Sequence, residues 1–334
     1  MSHDEHSTAP RRRWLPEQGF PAGLGPFLAL VAIWTVLAIV ASPSFRTWGN
    51  LQTIFRQTSI VGIAALGMTL IIMAGGIDLS VGSNIALTTV MVAWLLARGA
   101  SPLVAALGGV GTGMAVGLFN GILITRLKVV PFIVTLGTML IVRGAAKGLA
   151  GEQKIDAVDT WLNRLLAATG SALPPAGVWL MLVLAILVAL LLHYTVFGRH
   201  VLAVGSSPAT ARLCGVRVKR VSATVYALGG LFAGIAGLMQ FSRLTVGDPT
   251  VAIGAELDVI AAVVIGGGSL AGGEGSVIGS LMGALIMTVI RSGCSQLPLP
   301  EFLGGGIGLA TWVQEIVTGV IIVIAVALDR LRHR

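Results

Sequence analysis

The sequence predicts an all-α fold, a polytopic transmembrane bundle of about ten spans, some of them discontinuous. Three observations carry this reading. Hydrophobic residues make up 55% of the 334 and charged residues only 11%, and the mean hydropathy is +0.91, more than a water-soluble core absorbs. Apolar stretches recur down the whole chain near the length of about 20 residues that a spanning helix needs. The 45 glycines fit the small-residue interfaces through which helices pack in lipid.

The first element covers residues 27–41, after the basic cluster Arg11, Arg12 and Arg13. Cluster and apolar run together imitate a secretory signal. No small-x-small cleavage pattern precedes the loop at Pro43, however, so the segment reads as a retained first span. Apolar runs at 60–74, 85–96, 103–124 and 131–146 give the next four spans. In the fourth, Gly109, Gly113, Gly117 and Gly121 recur every four residues and so share one helical face, which reads as packing surface. Spans at 178–192, 221–241, 277–290 and 313–328 follow. Between 221–241 and 277–290 lies 256–268, whose apolar core is only strand-length and is flanked by Glu256, Asp258 and three glycines. It is expected to be a broken span, the form in which transporters bring backbone near a solute path.

Ten spans place both ends on one side, and both ends are basic: Arg11 to Arg13 at one, and Arg330, Arg332 and Arg334 at the other. The positive-inside rule makes both termini cytoplasmic. Arg126 and Lys128 then fall inside, as does the acid-free loop with Arg199, Arg212, Arg217, Lys219 and Arg220, whereas the connection 147–175, with mixed charges, falls outside. The expected organisation is a cytoplasmic tail over 1–24, a membrane domain over 25–330 with a cytoplasmic loop at 198–220, and a short cytoplasmic tail over 331–334. The net charge of +8 reports this topology and gives no case for nucleic acid. Cys214 and Cys294 fall on opposite sides in this topology, which argues against a disulfide between them, and no Cys or His spacing suggests a metal site.

Three segments carry functional signals. Asp78 closes an apolar run inside Gly75-Gly76-Ile77-Asp78-Leu79-Ser80-Val81-Gly82-Ser83. A carboxylate at the bilayer centre costs about 2.5–3.5 kcal/mol on insertion scales, so it belongs at a helix end, a polar cavity or a partner; a solvated turn and a part in transport are both open. In the cytoplasmic loop, Ser207 followed by Pro208 is a helix start, and Gly215 a stop. The two turns between them, with Ala211 and Arg212, are too short to be stable alone. They must dock on the chain itself or on a soluble partner. Finally, Asn84, Phe132, Thr135, Thr138 and Gln240 lie in or beside spans, where a solute path and interhelical hydrogen bonding both use such groups.

The runs 65–70 and 75–83, Pro131-Phe132-Ile133-Val134-Thr135-Leu136-Gly137-Thr138, and Glu256-Leu257-Asp258 leading into Val264 to Gly273 occur in one order. Together they resemble the permease subunits of bacterial ATP-binding-cassette importers of the ribose, xylose, arabinose and galactofuranose type, over about residues 50–330. The segment from Phe197 to Val216 is similar to the family's cytoplasmic loop. The resemblance implies a protein of the bacterial cytoplasmic (inner) membrane that pairs with a second permease copy or paralogue. Two ATP-binding subunits and an extracytoplasmic sugar-binding protein would complete the assembly. It also implies that the short helix with Ser207, Pro208, Ala211, Arg212 and Gly215 couples the chain to its ATPase. Asp78, Asn84, Phe132, Thr135 and Gln240, taken from their polar or aromatic character alone, are the candidates for the translocation path or gate, with helix packing as the competing role. No Gly-x-x-x-x-Gly-Lys-Ser/Thr phosphate loop occurs, so ATP and Mg are expected in the partner, with no cofactor and no catalytic residue in this chain.

The chain departs from the family pattern in two places. Gly205-Ser206-Ser207 replaces the usual asparagine, although Ser207 still caps. The stretch 298–308 is glycine-rich and atypical, an extended external loop that leaves the docking face for the binding protein open. Two rival classes fit parts of the sequence. An ion-coupled secondary transporter of small polar solutes would use Asp78, Arg143 and Glu315. An intramembrane hydrolase would use Ser269 in Gly267-Gly268-Ser269-Leu270-Ala271. That motif lacks the closing glycine and a histidine within reach, so a glycine-rich turn accounts for it better.

Overall fold

The computed structural model describes residues 24–167, 173–298 and 308–332. Each of the ten predicted spans falls on a helix: α1 Leu24–Val40, α2 Trp48–Met73, α3 Val81–Ala97, α4 Pro102–Leu127, α5 Pro131–Ala150, α6 Ala176–Tyr194, α9 Val218–Leu244, α10 Ala255–Ile265, α11 Val277–Cys294 and α12 Thr311–Arg332. Two further helices, α7 Val196–Ser206 and α8 Pro208–Leu213, build the loop between α6 and α9. The basic cluster Arg11 to Arg13, both chain ends and most of the atypical 298–308 stretch lie outside the described residues.

Local chemistry sets the helix limits. Ser101 caps α4, its Oγ accepting from Val104 N, with Pro102 at the first helical position, and Ser276 caps α11 by accepting from Gly279 N at 3.1 Å. α2 begins twelve residues before its apolar run because Thr47 caps it and the polar first turns, with Asn50, Gln52 and Arg56, find partners in the protein. Its remainder is the most enclosed helix, buried continuously from Gly62 to Met73. Around it stand α6, α9, α10 and α11. By contrast α4, α5 and α6 turn large apolar side chains outward, among them Leu107, Leu140, Ile141 and Ile186, as lipid-facing helices do.

Gly113, Gly117 and Gly121 of α4 meet a small-residue face of α9, and Gly109 packs on Val92 and Thr88 of α3. A Cβ at Gly113 would sit 2.6 Å from Gly234 Cα, and one at Gly121 2.8 Å from Ala223 Cα, while Gly117 lies on the Tyr226 carbonyl. Backbones this close gain dispersion and weak Cα–H···O contacts that lipid cannot match. The packing assignment of this series is therefore borne out. On the face that the positive-inside reading puts outside, 151–167 folds down over the bundle. Ile155–Asp156 pairs antiparallel with Val246–Gly247, a two-residue ladder that the all-α expectation omitted. Lys154 pairs with Asp248 at 3.2 Å, and Arg56 Nε donates to the Leu166 carbonyl at 2.5 Å.

Candidate translocation and coupling site

Residues 248–254 run down α3 without regular structure. Thr89 exchanges hydrogen bonds with the Asp248 backbone, and farther down Gly82 lies against the Ala252 carbonyl and the Glu256 carboxylate. The bare carbonyls of this stretch need donors, since none come from lipid. Arg143 of α5 supplies them, its Nη1 donating to Pro249 at 3.0 Å and Val251 at 2.7 Å. α10 then runs antiparallel to α11, with Ala262 on Gly283 and Gly266 on Gly279, and Asp258 bound to Arg291 at 2.6 Å. Its 11 residues reach about 16 Å at 1.5 Å per residue, half a membrane. The predicted discontinuous span is a half-helix entered through a re-entrant segment.

Between that segment, α2, α9 and α11 lies a cavity of about 270 Å³, walled by Gln57, Gln240, Arg243, Asp258, Thr288 and Arg291 among others. Small-ligand sites begin near about 300 Å³. Polar groups reach this one from α2 (Gln57), α9 (Gln240, Arg243), α10 (Asp258) and α11 (Thr288, Arg291), and residues 251–253 of the re-entrant segment close another side.

The Asp78 turn sits at the far end of α3 and is not solvated. Asp78 is 1% exposed; its Oδ1 accepts from Ser80 N at 2.8 Å, Ser80 Oγ at 2.6 Å and Asn120 Nδ2 at 3.4 Å. Tyr226 Oη and Thr135 Oγ1 both donate to the Ile77 carbonyl. Helices α4, α5 and α9 thus clasp the turn from three sides. The open choice for Asp78 is narrowed, since a solvated turn residue would not be enclosed.

Ser207 Oγ accepts from Thr210 N at 3.2 Å and Pro208 takes the first position of α8. Gly215, at φ +83°, closes it while Val216 N returns to the Ala211 carbonyl at 3.0 Å. Ala211 is buried and Leu213 is 89% exposed, with Arg212 and Cys214 also exposed beside it. Sequence reasoning missed the helix that carries this apex. α7 buries Val201, Val204 and Gly205, and Gly205 touches Met73 at the end of α2. Gly273 N donates to the same Met73 carbonyl at 3.0 Å, and Gly75 and Gly272 pack beside it. The α7–α8 pair, the Asp78 turn and the loop after α10 therefore meet backbone to backbone at one glycine-lined node.

A family described as the permease component of branched-chain amino acid transport systems matches residues 50–326. The chain is 37% identical over 96% of both sequences to the ribose import permease RbsC of Escherichia coli K12, and 38% identical to that of Bacillus subtilis over 92% of both. It is 35% identical to the L-arabinose permease AraH of Azospirillum brasilense, across 92% of this chain and 88% of AraH. The chain belongs to this permease family. No solved structure matches it.

As a component of an ATP-binding-cassette importer, the permease is a multi-pass protein of the bacterial inner membrane. ATP hydrolysis lies in a partner ATPase, and a binding protein serves the complex. The family resemblance read from the motifs is borne out. Of the predicted path residues, only Gln240 walls the cavity. Asn84 donates to the Gly113 carbonyl at 3.1 Å, and Thr138 bonds within its own helix. Thr135 clasps the Asp78 turn, and Phe132 is 46% exposed at the start of α5. The cavity's two arginines went unremarked as path residues because Arg243 and Arg291 stand near helix ends in sequence, where a charge looks interfacial. Ser269 is buried with its Oγ accepting from Ala271 N, in a turn with Gly267 and Gly272 at positive φ, as the glycine-turn reading expected. Arg143 is engaged by backbone carbonyls, so it serves the fold and not an ion relay.

Proposed function

We propose that this permease imports a sugar, with α7 and α8 as the coupling element and the cavity beside α10 as the part of the path seen in one protomer. The observation that supports this reading most directly is the glycine node. It joins the exposed apex at Leu213 to the ends of α2 and α10 without a flexible linker, so a push on α8 reaches the cavity walls. In this reading both termini and the 198–220 loop are cytoplasmic, and Ser207, Pro208, Ala211, Arg212 and Gly215 shape the docking element. A second permease copy or paralogue completes the assembly and an extracytoplasmic sugar-binding protein feeds it. ATP and Mg are held by the ATPase. Closure of the ATPase pair draws the α8 elements together, and the spans tilt to expose the cavity alternately to each side.

The test is to tag the chain at its C-terminus, extract it gently from native membranes and identify what co-purifies. An ATP-binding subunit is expected with the wild type. Leu213→Asp places a charge on the exposed apolar apex and is expected to reduce recovery of that subunit at least about tenfold. Isolation of wild-type chain alone, or full recovery with the variant, would overturn the coupling assignment.

A further inference from the structure

The charges around the cavity do not balance. Arg243, Arg291 and Asp258 stand in its wall, and the positive charges of Arg56 and Arg291 both act on Arg243. Behind the re-entrant segment Arg143 faces Glu256 and Asp248, and Glu256 acts on Asp258 as well. Lys154 pairs with Asp248. Within this set of interacting groups, the five cations Arg56, Arg143, Arg243, Arg291 and Lys154 stand against the three acids Asp248, Glu256 and Asp258, and in the wall itself two arginines stand against one acid. Of the three cations nearest the cavity, Arg291 is bound by Asp258, and Arg56 donates to the Leu166 carbonyl. Arg243 differs, because its Nε is buried with no hydrogen-bond partner among the described residues.

An uncompensated guanidinium enclosed among membrane helices is costly. A neutral sugar does not relieve it, since hydroxyls leave the charge in place. A carboxylate does, since the guanidinium fork donates two parallel N–H bonds to its oxygens, while Gln57 and Gln240 in the same wall offer amides to ring hydroxyls. We infer that this permease conducts a sugar bearing a carboxylate, of the uronate or aldonate class, and that Arg243 is its recognition residue. The inference rests on the importer reading above but is tested without the ATPase.

Purified full-length chain in lipid nanodiscs is titrated with D-galacturonate and, separately, with D-galactose, its neutral counterpart of the same ring. The melting midpoint reads binding. Sodium acetate and sodium chloride at equal ionic strength serve as anion controls. Galacturonate is expected to bind at least about tenfold more tightly than galactose. Arg243→Gln should abolish that preference, and Arg56→Gln, which removes a charge behind the wall, should reduce it. Equal stabilisation by both sugars, a galacturonate effect matched by acetate, or a preference intact in Arg243→Gln would overturn the inference. Failure of the importer reading shows separately, as the lack of a co-purifying ATPase.

Discussion

Asp78 illustrates how one residue can be conspicuous in sequence and still ambiguous. The run of glycines around it marks a turn, yet its enclosure depends on Asn120, 42 positions away, and on Tyr226, which reaches across to the Ile77 carbonyl. No local pattern announces such partners. The structure makes two substitutions separable. Asp78→Ala strands the buried Ser80 N–H and hydroxyl and is expected to cost about 1–3 kcal/mol of stability. Asp78→Asn keeps an acceptor oxygen for Ser80 and should cost less than Asp78→Ala. Both variants are expected to assemble and to import poorly, because the turn links the coupling node to α3. Melting curves of the detergent-solubilised chain, run beside uptake in cells, check this. Identical melts for the two variants would remove the hydrogen-bonding account, and wild-type uptake in both would remove the link to transport.

Among the elements, helices that are apolar for a whole bilayer thickness were legible, whereas those held by tertiary partners were not. α8 could be placed because Ser207, Pro208 and Gly215 are local signals. α7 was missed because its apolar face is short and its stability comes from packing Val201, Val204 and Gly205 on the bundle. Its role follows from Gly205, where a Cβ would meet Gly273 N at 2.5 Å and collide with the Met73 carbonyl. Gly205→Val should therefore displace α7 while leaving the α8 apex intact. The expected phenotype is a complex that retains its ATPase and hydrolyses ATP but imports at most about a tenth as fast, a uniform loss of coupling. Simultaneous loss of ATPase binding would mean that the glycine supports the fold of the whole loop and not the transmission of movement.

At the scale of the molecule, lipid is what made the architecture readable. Backbone groups must be satisfied within each span, so segment after segment declares itself by composition. The re-entrant 248–254 stretch escaped because Arg143, not a helix, satisfies its carbonyls. Sidedness is a different matter, since no lipid acts on a bare chain of helices, and it is the charge bias of the loops that orients the bundle. The two cysteines report on it. Cys214 is exposed beside the α8 apex and Cys294 is buried at the opposite end of the bundle, at the close of α11. With the 198–220 loop cytoplasmic, a membrane-impermeant maleimide should label the chain in inside-out vesicles and leave it unlabelled in intact spheroplasts. Cys214→Ser should remove the signal, which assigns it to that residue. Because Leu213 and Cys214 are neighbours on the docking surface, the ATPase should also shield Cys214, so labelling should rise at least about tenfold when the ATPase is stripped from the vesicles. Labelling from the outside would invert the topology. Labelling from the inside that is indifferent to the ATPase would keep the topology and place the docking surface elsewhere on the loop.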